Sequence, residues 1–186
     1  MGVDLAVKHQ VYLSLGSNIN RHDNIQRCLL SLLENFGALS SSPVYESEPV
    51  GFQGDCFYNL VVKIETLEPL KRLSERLKLI EHAQGRVRGG ERFSSRTLDI
   101  DILLYDDLCG VHAGIELPRP EVYYNGFVLL PLVDLAADQL DPKSGLSFAQ
   151  LWAEKAPGIL SQQKLWKVPF VWPEHISVFS DSVELG

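Results

Sequence analysis

Two runs of helical spacing, each entered from a strand-like run and closed by a glycine, limit this chain's fold more than any other feature. The first, "DNIQRCLLSLLENFG", sets Ile25, Cys28, Leu29, Leu32, Leu33 and Phe36 on one face and stops at Gly37. The second opens at Pro69, carries an apolar stripe of Leu70, Leu73, Leu77 and Ile80, and ends at Gly85. Alternating "QVYLSLG" precedes the first helix. Between the helices, Ser40 to Ser47 reads as one strand and "CFYNLVVKIET" as another, with Val61, Lys63 and Glu65 alternating against Val62 and Ile64. A strand over "TLDIDILLY" follows the second helix. The order is β-α-β-β-α-β, which predicts an α+β, ferredoxin-like core: two helices covering one face of a mainly antiparallel sheet.

Beyond that core, Val111 to Leu117 offers a further strand, and "FVLLPLVDLA" and "SFAQLWAEKA" offer further packed segments. The last stretch mixes Trp166, Pro169, Phe170, Trp172 and Pro173 without a period. The expected organisation is one domain over residues 1–160, with residues 161–186 as an irregular tail packed on or extending from it. A chain of 186 residues can bury the core this requires.

Charge and cysteine usage narrow the function classes. A net charge of −7 argues against a general nucleic-acid binder and for weak self-association. Cys28, Cys56 and Cys109 are odd in number and lack metal-ligand spacing, as suits a reducing compartment. No signal-peptide core or membrane-length apolar run occurs, and position 6 is Ala where a myristoylation site needs Ser or Thr. The expectation is a soluble cytoplasmic monomer that binds neither nucleic acid nor membrane.

Asp99 and Asp101 lie two apart in a predicted strand, so both side chains leave the same face, about 7 Å apart. Asp is depleted in strands, and like charges this close repel, so the pair calls for a compensating charge. Just upstream, "GRVRGGERFSSR" holds Arg86, Arg88, Arg92 and Arg96, while no Lys occurs between Lys78 and Lys143. Arginine grips phosphate through a planar fork, and Gly89 and Gly90 predict a mobile loop. Taken separately, either group is more often a solvated cluster than a site. Together they describe one polyphosphate site, because Mg²⁺ takes carboxylate oxygens and completes its shell with substrate phosphates. The site has no glycine cradle: "LGSNINRHD" lacks the G-K-[ST] of a Walker A loop, and no G-x-G-x-x-G occurs.

A second group, "YESEPVGFQGDCFYNLVV", sets Val50, Phe52, Phe57 and Tyr58 beside the neutral hydrogen-bonding residues Ser47 and Asn59. Any one of these aromatics is more often strand-end packing than a ligand contact. As a set they suit a flat polar heteroaromatic ring: faces to stack on and an amide to read the edge. No Ser/His/Asp or Cys/His set points to a covalent intermediate.

"LGSN", "YESEPVGFQGDCFYN", E-x-x-Q-G-R-V-R and "SRTLDIDILLY" occur in the order and spacing of the 6-hydroxymethyl-7,8-dihydropterin pyrophosphokinases of folate synthesis, and the chain resembles that family over about Val11 to Leu140. The resemblance implies a ferredoxin-like core that moves pyrophosphate from ATP to the pterin hydroxymethyl group and releases AMP. It implies two Mg²⁺ ions on Asp99 and Asp101, with Arg86 and Arg96 on the polyphosphate and Arg88 and Arg92 in a loop closing over it. It puts Glu81 near the nucleotide and builds the pterin pocket from Ser47, Val50, Phe57, Asn59 and Phe127, with the ring between the two phenylalanines. Three departures stand out. Phe93-Ser94-Ser95 replaces an aromatic-Gly-Pro, Arg119 replaces a nucleotide-contacting His, and Asn125 replaces an Arg. Two rival readings share the fold: a nucleotide- or pterin-binding module with weakened turnover, and a metal-dependent phosphohydrolase.

Overall fold

The computed structural model describes residues 6–84 and 98–179. Strand β1 (His9–Ser17) leads into α1 (Arg21–Phe36), then β2 (Leu39–Ser41), β3 (Val44–Ser47) and β4 (Phe57–Thr66). Helix α2 (Leu70–Ala83) and strand β5 (Asp99–Tyr105) complete the expected set. The sheet runs β5-β1-β4-β2, antiparallel throughout, so each β-α-β unit straddles a strand of the other. This is the split βαβ arrangement that the helical spacings predict.

Each predicted stripe meets the sheet. Ile25, Cys28, Leu29 and Leu32 of α1 and Leu70, Leu73, Leu77 and Ile80 of α2 are buried against Val11, Leu13, Leu15, Leu60, Val62 and Ile64. Side chains alternate along a strand, so Tyr12, Tyr45 and Val61 face the other way. There they meet α3 (Gly126–Ala136) and α4 (Phe148–Leu160). Helix α3 is apolar on nearly every side because both the sheet and α4 pack on it.

The single strand predicted over Ser40–Ser47 is two strands. Pro43 has no N–H to donate, so the ladder breaks there. Ser42 bridges the gap: its N–H donates to the Val61 carbonyl at 2.9 Å, and its Oγ accepts from the Val61 N–H at 3.0 Å. The segment Val111–Leu117 forms a separate hairpin of β6 (Gly110–His112) and β7 (Ile115–Leu117), turning through Ala113 and Gly114 at positive φ.

The stretch expected to be irregular contributes two strands. β8 (Leu165–Val168) pairs antiparallel with β3, and β9 (Ile176–Val178) pairs parallel with β2. The break at Pro43 leaves β2 and β3 as two short edges, and each takes one strand from the C-terminal segment. Within the described residues the main sheet therefore has seven strands. No described helix is long and apolar enough to cross a membrane.

Candidate active site

Cross-strand register builds the site. Asp99 stands opposite Gly16 of β1, Gly16 opposite Asn59 of β4, and Asn59 opposite Tyr45 of β3. Residues directly opposite share a face, so one row carries a carboxylate, a gap, an amide and a buried phenol. Gly16 makes the gap: it carries no side chain, and the Asn59 amide leans over it, with Oδ1 3.5 Å from where a Cβ would stand. The next row sets Asp101 opposite Ser14, and both carboxylates are half-buried. The expected pairing of Asp99 and Asp101 on one face holds.

Asp101 already has a cation beside it. Arg119 Nη2 lies 3.2 Å from Asp101 Oδ1, and Arg119 Nε lies 3.3 Å from Glu121 Oε2. That second contact meets the distance of an ion pair but not the geometry of a hydrogen bond, so the buried Nε is left without an aligned acceptor. The Arg119 N–H donates to the Leu103 carbonyl at 2.9 Å, which fixes the segment against β5. The sequence places Arg119 among the nucleotide contacts; its ion pair with a metal-candidate carboxylate has no local sequence signal.

Glu81 supports the same strand from the opposite side. It is buried at the end of α2, and its Oε1 accepts from the Ile100 N–H at 2.7 Å. Ile100 lies between the two aspartates on an edge strand, so this bond holds the backbone that aims both of them. Burial and the nearby Glu81 carboxylate push the Cys28 thiol well above its ordinary range.

At the other end of the row, Asn59 Nδ2 donates to Ser47 Oγ at 2.8 Å, and both side chains are buried. Phe57, opposite Ser47, is half-buried and meets Phe52 edge to face with ring centroids 6.1 Å apart. Val50, on the loop after β3, is 44% exposed. Phe127 is the second residue of α3, which packs on β3 and β4, and it is partly buried against the cluster on this face of the sheet. Asn18 Nδ2 closes the end of β1 onto the same loop by donating to the Asp55 carbonyl at 3.3 Å. The structure thus brings Ser47, Phe57 and Asn59 together on the sheet, with Val50 and Phe127 at its margins. Arg86, Arg88, Arg92 and Arg96 lie outside the described residues, as does the Phe93-Ser94-Ser95 departure.

The donor set suits Mg²⁺. Among the described residues no three His, Cys, Asp or Glu side chains gather as a metal cage. Two half-buried carboxylates on one strand face are what a cation needs when it takes its remaining ligands from phosphate and water.

Residues 12–137 match the model of the 7,8-dihydro-6-hydroxymethylpterin-pyrophosphokinase family. A 2-amino-4-hydroxy-6-hydroxymethyldihydropteridine pyrophosphokinase of Haemophilus influenzae is 41% identical over 138 residues, covering 72% of this chain and 85% of the relative. The Synechocystis protein of the same name is 33% identical over 146 residues, covering 77% and 74%. Among solved structures, an HPPK-DHPS crystallised with substrates superposes with a TM-score of 0.65 at 14% identity, a likeness of fold. It covers 84% of this chain and 45% of that one, so the present chain spans less than half of that two-part protein. The family expected from "SRTLDIDILLY" and its companion motifs is the family found.

Proposed function

The chain belongs to the 7,8-dihydro-6-hydroxymethylpterin-pyrophosphokinase family, and from that premise we propose how its own residues carry the transfer of pyrophosphate from ATP to 6-hydroxymethyl-7,8-dihydropterin. The observation that carries the reading is the row Asp99–Gly16–Asn59, which sets a carboxylate and an amide on one sheet face on either side of a glycine.

The pterin sits at the Asn59 end. Its ring stacks between Phe57 and Phe127, and Val50 closes one side. The Asn59 amide, held by Ser47, pairs with the polar edge of the ring. ATP lies along the Asp99 and Asp101 end, with Arg86 and Arg96 on its phosphates, and Arg88, Arg92 and Arg119 adding positive charge. Glu81 serves the nucleotide site through the β5 backbone. Two Mg²⁺ ions on Asp99 and Asp101 would neutralise the polyphosphate and hold it in line.

In the reaction the hydroxymethyl oxygen bonds to the β-phosphorus as the bridge between the α- and β-phosphates breaks. AMP leaves and the hydroxyl proton is released. Phosphoryl chemistry of this kind depends on orientation and charge neutralisation more than on a strong protein base. The protein acts as a cytoplasmic monomer on these two small substrates, without nucleic acid or membrane.

Asp99→Asn and Asp101→Asn test the assignment. Each removes one anionic ligand while keeping the shape of the side chain, so transfer falls by orders of magnitude and the fold survives. Near-normal turnover of either variant at millimolar Mg²⁺ would show that the carboxylate pair is not the metal site.

A further inference from the structure

The segment Gln163–Leu165 lies beyond the residues matched by the family model, yet it touches both walls of the pterin site proposed above. Gln163 Oε1 accepts from the Gly126 N–H at 2.8 Å, and Gln163 Nε2 donates to the Tyr124 carbonyl at 2.8 Å. One side-chain amide therefore grips the backbone on either side of Asn125, and the gripped Gly126 immediately precedes Phe127. Two residues on, Leu165 pairs with Ser47 in the β3–β8 ladder, and the Lys164 carbonyl accepts from the Glu48 N–H at 3.2 Å.

We propose that Gln163 is a positioning residue for the pterin site, setting the distance between Phe127 and the β3–β4 wall that carries Ser47, Phe57 and Asn59. The inference rests on the reading of Phe127 as a pterin-stacking residue.

Three observations support it. The start of a helix leaves backbone N–H groups without intrahelical partners, and the side chain of Asn125, at the N-cap of α3, makes no capping hydrogen bond. Gln163 supplies an acceptor from outside the helix. Gln163 is itself fixed, because its N–H donates to the Ile159 carbonyl at 2.9 Å where α4 ends. The approach is also close: a Cβ on Gly126 would stand 2.8 Å from Ile159 Cγ2 and 3.3 Å from Leu165 Cδ2. Only glycine lets the start of α3 seat against 159–165, so the position of Phe127 is referred to the C-terminal segment and not to the sheet alone.

Gln163→Leu removes both hydrogen bonds at nearly constant size. Loss of two hydrogen bonds that hold a wall raises the pterin Kd and KM about tenfold, with a smaller change in kcat and an unchanged Kd for a non-hydrolysable ATP analogue. Gln163→Glu keeps the acceptor for Gly126 but cannot donate to Tyr124, so it recovers part of the loss, and it keeps the question answerable should the leucine variant fold poorly. Phe127→Ala, run beside them, weakens pterin binding by removing the ring that is positioned. Calorimetric titration of each variant with pterin and with the ATP analogue decides the matter. If Phe127→Ala weakens pterin while both Gln163 variants bind it like the wild type, Gln163 does not position the wall. An equal loss of pterin and nucleotide affinity in the Gln163 variants would reveal a merely structural role and overturns the inference. If Phe127→Ala binds pterin normally, the stacking reading falls and this inference falls with it.

Discussion

Arg119 and Asp101 form an ion pair across the start of β5, with Nη2 3.2 Å from Oδ1, so one of the two carboxylates that would meet a metal already faces a cation of the chain's own. A divalent ion held by Asp101 would compete with that guanidinium. Arg119 has somewhere to turn, since Glu121 Oε2 is 3.3 Å from its Nε. Once displaced, the guanidinium is a ready partner for phosphate.

Arg119→Ala should therefore separate two effects. Without nucleotide, Mn²⁺ binds more tightly by about two- to fivefold, the scale of one partly exposed ion pair. With both substrates present, single-turnover transfer slows by about tenfold or somewhat more, as one charge-assisted contact to the polyphosphate is lost. Electron paramagnetic resonance of bound Mn²⁺ reads the first effect and quenched-flow the second. A variant silent in both would remove Arg119 from the site.

Asn125 leads to a prediction with opposed signs. An arginine there adds charge for the transferring pyrophosphate, so Asn125→Arg raises kcat. The same charge stands at the N-cap of α3, where the helix dipole disfavours cations, and stability falls by about 0.3–1 kcal/mol. A rate gain with a lower Tm is the expected pair of results; a higher Tm with no gain in rate contradicts both halves.

In the pocket, Phe57→Ala weakens pterin binding and leaves ATP binding largely unchanged. Asn59→Leu does the same and also destabilises the protein by about 1–3 kcal/mol, because the buried Ser47 Oγ loses its amide donor. Calorimetry and denaturant melts measure the two consequences independently. Wild-type pterin affinity in both variants would place the ring elsewhere.

Beneath the pocket, the fully buried Tyr45 donates its hydroxyl to Asp134 Oδ2, and Lys167 of β8 approaches Asp134 Oδ1 at 3.5 Å. Burial, then the Asp134 carboxylate, raises the Tyr45 hydroxyl far above its ordinary value of 10.0. The folded protein therefore keeps a proton that the unfolded chain loses above about pH 10, and stability contributed by this group declines as pH rises beyond that point. Tyr45→Phe lowers stability at neutral pH by about 1–3 kcal/mol and flattens part of the alkaline decline. Urea melts from pH 8 to pH 11 test this; an unchanged alkaline slope would show that Tyr45 ionises as freely in the fold as outside it.

The legible part of this fold was the part with a period. Leu70, Leu73, Leu77 and Ile80 have one physical solution, a helix laid on an apolar surface, and they take it. Asp99 and Asp101 were legible because two carboxylates on one strand face need a reason. The C-terminal strands were not legible. Leu165–Val168 and Ile176–Val178 are too short to show alternation, and they exist because Pro43 divides the facing edge into two pieces of matching length. The family resemblance implies a nucleotide contact at Arg119; its ion pair with Asp101 depends on the return of the chain after the β6–β7 hairpin, which no local pattern shows. Gln163 carried no signal at all, since its role depends on the end of α4 meeting the start of α3.

The most direct test of the central claim is the appearance of AMP when purified protein is given Mg²⁺ and ATP, with and without 6-hydroxymethyl-7,8-dihydropterin. Pyrophosphoryl transfer to the pterin predicts one AMP and one pterin diphosphate for each pterin consumed, and no ATP loss in its absence. Pterin-independent release of phosphate would instead identify a phosphohydrolase that uses Asp99 and Asp101. Binding of both substrates without any AMP would identify a module that has kept the site and lost the reaction.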